Sequence, residues 1–132
     1  MQQDYLFVYG TLLKEVGHPM AEFLARRARH VDSAKTPGRL YDLGPYPGML
    51  EPAGGQDWVQ GELYELTETV ATLAALDKYE SLGTDPPLFV RQRGMVTLAS
   101  GEAVSAWLYI YCGPMERARL IASGDYRTGR RA

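Results

Sequence analysis

The chain has 132 residues, 45% of them hydrophobic and 23% charged, with a formal net charge of -2. That length suits one domain, spanning residues 1–132, excludes two full ones, and buries enough surface to fold without disulfides or metal. The composition excludes a disordered chain, and the slightly acidic balance argues against a nucleic-acid binder, which carries a basic field.

In chain order, Tyr5-Leu6-Phe7-Val8-Tyr9 is apolar on both alternating faces and stops at Gly10, as a buried central strand does. A helix is expected from about His18 to His30: Pro19 suits its first turn, Met20, Phe23, Leu24 and Ala28 recur at helical spacing, and arginines gather at its end. Gly38 to Leu43 reads as a short strand, followed by the turn-rich Gly44-Pro45-Tyr46-Pro47-Gly48. Trp58 to Leu66 alternates as a strand, with Gly61 as a bulge or a point of close approach. Thr67 caps a second helix through about Tyr79.

Leu88 to Leu98 and Ala103 to Cys112 form two strands joined by a hairpin turn containing Gly101. Pro114 to Ile121 reads as a short helix or turn. The expected class is α+β: a small mixed, mostly antiparallel β-barrel flanked by two main helices.

Cys112 is the only cysteine, and its place at a strand end suggests a packed, inert thiol. No apolar run approaches a membrane span and no signal peptide is evident, so a cytoplasmic protein with no membrane partner is expected.

Glu80 is the strongest chemical candidate. It prolongs the helical stripe of Val70, Leu73, Leu76 or Asp77, close to the helix C-terminus. Burial and the negative helix pole both raise a carboxylate pKa, as a general base near neutrality requires. An exposed Glu in a frayed last turn is the alternative. Asp77, three residues earlier, reads as a local partner or cap. The turn Tyr9-Gly10-Thr11-Leu12 could present backbone N–H groups to a ligand, with Gly10 removing a Cβ from their path. His18 and His30 lack spaced companions, so no metal site is expected, and no dinucleotide or phosphate-loop motif implies a cofactor.

Ordered along the chain are Val8-Tyr9-Gly10-Thr11-Leu12, Leu40-Tyr41-Asp42-Leu43-Gly44 with Tyr46-Pro47, and Val59-Gln60-Gly61-Glu62-Leu63-Tyr64. They continue with Leu76-Asp77-Lys78-Tyr79-Glu80, Val90-Arg91, Ala106 to Tyr111, and Ser123-Gly124-Asp125-Tyr126. This set resembles the γ-glutamylcyclotransferase-like family, which includes AIG2-like proteins and γ-glutamylamine cyclotransferases. The chain departs from the family pattern at Ser81, where Gly is common, and at Gly48.

The resemblance implies a small mixed barrel flanked by helices. It implies Glu80 as proton acceptor, backbone amides of Tyr9, Gly10, Thr11 and Leu12 lining the substrate cavity, and Tyr126 near the same cavity. The implied activity is a cofactor-independent cyclotransferase that releases 5-oxoproline from a γ-glutamyl amide or amine. The implied partner is a small γ-glutamyl compound, with the chain a monomer or homodimer. A non-catalytic small-ligand-binding module on the same fold is the alternative, and a Glu-dependent hydrolase or transferase using an external nucleophile is a third reading.

Overall fold

A computed structural model describes residues 4–10, 19–44, 46–53, 57–67, 69–81 and 88–126, with the backbone course alone at 19–21, 70 and 78–81. The elements are β1 (Asp4–Val8), α1 (Pro19–Arg27), β2 (Ala28–Pro37), β3 (Arg39–Asp42), β4 (Pro47–Leu50) and β5 (Trp58–Leu66). They continue with α2 (Thr69–Ser81), β6 (Phe89–Leu98), β7 (Ala103–Tyr111) and β8 (Arg119–Leu120).

Five strands close a barrel in the order β1-β5-β2-β6-β7, while β4-β3-β8 form a smaller sheet. The barrel is antiparallel except where β1 meets β7 in parallel, with Leu6 opposite Trp107. The architecture is therefore α+β, with a mixed, mostly antiparallel barrel and two helices.

Alternation along the strands sorts the apolar residues into two layers. Phe7, Val59, Leu63, Val96, Ala106 and Leu108 belong to the barrel interior, which also takes in Tyr9 and Tyr126. Leu6, Val8, Tyr64, Leu66, Phe89, Tyr109 and Tyr111 face outward and cluster with Leu24 of α1 and with Leu73 and Leu76 of α2. The outer layer is thus where the helices dock, and Leu73 and Leu76 occupy the stripe expected from the sequence.

Four short stretches depart from expectation. The first helix ends at Arg27, and Ala28, Arg29 and His30 begin the ten-residue strand β2. That strand is held by nearly its full length against β5 and by Ala34 and Lys35 against β6, so tertiary pairing overrides its polar sequence. Pro47 to Leu50, expected within a turn-rich stretch, pair with β3. Arg119 and Leu120 extend the same sheet from its other side, where a short helix or turn was expected. Cys112 lies just past β7 and is exposed, not packed.

Gly61 sits where a Cβ would run into the Val8 carbonyl and the Phe7 ring, so β1 and β5 close tightly only over glycine. No helix among the described residues is long and apolar enough to cross a membrane.

Candidate functional site

The strand directions gather the candidate residues at one end of the barrel. β1 and β7 run the same way, so Val8-Tyr9-Gly10 leaves the barrel beside Tyr109 to Tyr111. β6 is antiparallel to β7 and begins at that end, with Phe89 opposite Tyr111. β5 finishes at the other end, where Leu66 faces Asp4. From there α2 runs back along the outer face until Asp77 meets the cross-strand pair Arg91 and Tyr109.

The junction is closely built. Arg91 donates from Nε to Asp77 Oδ1 at 2.9 Å and from Nη2 to Oδ2 at 3.2 Å, a two-pronged grip on one carboxylate. Tyr109 donates its hydroxyl to Asp77 Oδ1 at 2.7 Å. Arg91 also lies 4.4 Å from the Trp107 ring centre, and Arg93 lies at the same distance. Asp77 is therefore a long-range anchor of α2 to the barrel, where a local cap or partner was expected.

Tyr9 is buried, and its hydroxyl donates to the Tyr109 carbonyl at 2.7 Å while accepting the Met49 amide at 3.2 Å. The side chain thus turns into the barrel core and ties the start of the turn to β7 and β4. Gly10 sits against Pro47: a Cβ there would come within 2.6 Å of the proline Cγ. The expected reason for this glycine was access for a ligand, whereas the space beside it is filled by a proline ring. The departure at Gly48 has a similar cause, because a Cβ would meet the Tyr111 Cβ at 2.7 Å.

Glu80 lies in the last turn of α2, which extends to Ser81, but its side chain is outside the described residues, as are Thr11 and Leu12. Tyr126 is buried in the interior cluster with Tyr9, Met49 and Ile110. Of the sequence-predicted residues, the structure therefore brings Tyr9, Gly10 and the α2 turn bearing Glu80 to one barrel end.

A further polar pair was not anticipated. Glu62 is buried on β5 directly opposite Val8, and its Oε1 lies 2.6 Å from His30 Nε2. The His30 ring stands edge-on to Tyr64, 5.4 Å between centres. Glu62 occupies an outward position on β5, where His30 of the paired strand β2 meets its carboxylate. The available signal was its spacing: Glu62, Tyr64 and Leu66 share one side, and two of the three are large and apolar.

Nearby, Tyr111 donates its hydroxyl to the Pro114 carbonyl at 2.7 Å. Burial pushes this phenol above the usual tyrosine range, with Tyr46, Cys112 and Glu116 adding to the effect. Among the described residues no group of three or more His, Cys, Asp or Glu is placed to hold a metal ion.

The sequence matches the family Gamma-glutamyl cyclotransferase, AIG2-like, over residues 6–128. The chain belongs to this family. It is 33% identical over 121 residues to the Gamma-glutamylcyclotransferase family protein YtfP of Escherichia coli K12, covering 92% of this chain and 94% of that one. Among solved structures, YkqA from Bacillus subtilis superposes with a TM-score of 0.72 at 26% identity, covering 94% of this chain and 39% of that chain. An AIG2-like protein from mouse superposes with a TM-score of 0.65 at 26% identity, covering 85% of this chain and 79% of that one. The barrel and its two helices are thus the fold of γ-glutamylcyclotransferase-like proteins.

Proposed function

We propose that this γ-glutamylcyclotransferase-like protein is an enzyme that closes γ-glutamyl amides or amines to 5-oxoproline, with Glu80 as general base. The observation that carries the proposal is the convergence, at one end of the barrel, of the last turn of α2 and the Tyr9-Gly10 turn. Family membership supports the substrate class, and the resemblance together with the physical chemistry supports the roles.

A γ-glutamyl compound brings its own nucleophile. The α-ammonium loses a proton to the Glu80 carboxylate, and the freed amine attacks the γ-carbonyl carbon to form a five-membered ring. The carbonyl oxygen gains negative charge, which backbone N–H groups of the Tyr9 to Leu12 turn stabilise. The bond from the γ-carbon to the leaving nitrogen then breaks as the proton held by Glu80 passes to the departing amine, and the ring nitrogen gives its second proton to the freed Glu80 carboxylate, which returns it to solvent. Atoms and charge balance without a redox partner or an external water. Because attack is intramolecular, effective concentration is built into the substrate, where it can reach ~10⁵ M or more. The protein is left to fold the substrate, move one proton and hold one oxyanion. Tyr126 is proposed to shape the wall of the same cavity from the barrel interior.

The experiment is a product assay on a panel of γ-glutamyl amides and amines. Release of 5-oxoproline with one equivalent of free amine is the expected result. Release of free glutamate would instead identify an external water nucleophile. Binding without any turnover across the panel would identify a non-catalytic ligand-binding module.

A further inference from the structure

We infer that Tyr109 is a positioning residue that sets the distance between the α2 turn bearing Glu80 and the turn beginning at Tyr9. The inference rests on the proposed reaction for its catalytic consequence, though its geometry stands apart from it.

Tyr109 touches both halves of the proposed site through different atoms. Its hydroxyl, on the outer face of β7, donates to Asp77 Oδ1 at 2.7 Å, three residues before Glu80. Its carbonyl accepts the Tyr9 hydroxyl at 2.7 Å, one residue before Gly10. The chain of contacts therefore runs from α2 through one residue of β7 to the head of the turn, and on through the Met49 amide to β4. Arg91, the cross-strand partner of Tyr109, grips the same Asp77 carboxylate and fixes its orientation.

Stability alone is a poor reason for this arrangement. Asp77 and Arg91 are partly exposed, and ion pairs of that kind contribute little to folding. Geometry is a better one, because a displacement of about 1 Å between catalytic groups can cost on the order of a hundredfold in rate. Tyr109 is buried, so its ring stays packed when only the hydroxyl is removed.

The test uses the full chain carrying Tyr109→Phe, Asp77→Asn and both together. Kinetics of 5-oxoproline release should show kcat lowered by at least about tenfold in each single variant, with KM within about twofold. The double variant should be no worse than the weaker single, since the two groups act as one unit. Thermal midpoints should stay close to that of the parent. Unchanged kcat in Tyr109→Phe, or losses that multiply in the double variant, would overturn the inference.

A second readout does not depend on turnover. Amide hydrogen exchange should accelerate at residues 77–81 in Tyr109→Phe, which loses the hydroxyl contact to Asp77, and at 9–10 in Tyr9→Phe, which loses the contact to the Tyr109 carbonyl, while β5 and β6 keep their protection. Unchanged exchange at 77–81 in Tyr109→Phe, or at 9–10 in Tyr9→Phe, would refute the coupling whatever the substrate proves to be. Failure of the parent protein to release 5-oxoproline, with coupled exchange intact, would instead overturn the reaction and leave the positioning role standing.

Discussion

Replacing Gly10 with alanine tests whether the head of the turn must sit where Pro47 holds it. The added Cβ would lie 2.6 Å from the Pro47 Cγ and 3.1 Å from its Cδ. Carbon atoms rest at about 3.5–4.0 Å, so relief needs a shift of about 1 Å. Gly10 is not among the glycines with positive φ, so the backbone itself accepts alanine and the effect is steric alone. Pro47 is a rigid, buried ring paired with Asp42 at the start of β4, and it yields little. The turn therefore moves, and on the proposed reaction this carries its N–H groups away from the developing oxyanion. A displacement of that size lowers kcat by roughly a hundredfold, or about 2.7 kcal/mol of transition-state stabilisation. The assay is 5-oxoproline release, with a thermal melt to report folding. Adding Pro47→Ala to the same chain removes the obstructing atoms and should recover at least about tenfold of the loss. Near-parental kcat in Gly10→Ala, or no recovery in the double variant, would refute the reasoning.

Two further predictions concern the frame around the site. Leu76 is fully buried between α2 and the barrel, so Leu76→Ala should cost about 2–5 kcal/mol in urea unfolding. A loss under about 1 kcal/mol would mean that α2 is not held by that contact. Tyr111 has its ionisation pushed upward in the fold, so its neutral form contributes stability below the ordinary tyrosine range that is lost as pH rises above it. Tyr111→Phe should therefore flatten the fall in unfolding midpoint between about pH 9 and 11, an unchanged slope being the contrary result.

The strands β1, β5, β6 and β7 were legible because apolar alternation and glycine-marked turns are local signals. The hairpin turn between β6 and β7 indeed has Gly101 at φ 97°. β2 was not legible: Arg29, His30, Asp32, Ser33 and Lys35 make it polar, and only its neighbours in the closed barrel hold it extended. The same holds for β8, two exposed residues that become a strand through Tyr41 and Asp42.

Within the site, the buried face of α2 was readable from its helical spacing, and Glu80 with it as a position on that helix. The partners of Asp77 were not readable, since Arg91 and Tyr109 are 14 and 32 residues away in sequence. Glu62 was overlooked for a related reason: its partner His30 lies 32 residues away, on the paired strand β2. Tyr9 was expected to contribute its backbone, and its phenol turns out to bind β7 and β4 together. The cause of Gly10 changed most, because Pro47 approaches it across a fold that local sequence does not contain.

The central claim is that one carboxylate in the last turn of α2 moves the proton that permits ring closure. Glu80→Gln keeps the size and much of the hydrogen bonding of the side chain while removing its basic oxygen. With a γ-glutamyl amide that the parent protein turns over, the variant should fold normally and lose 5-oxoproline release by about 10²–10⁴-fold, the usual contribution of a general base. Undiminished release from a folded Glu80→Gln protein would contradict the account directly.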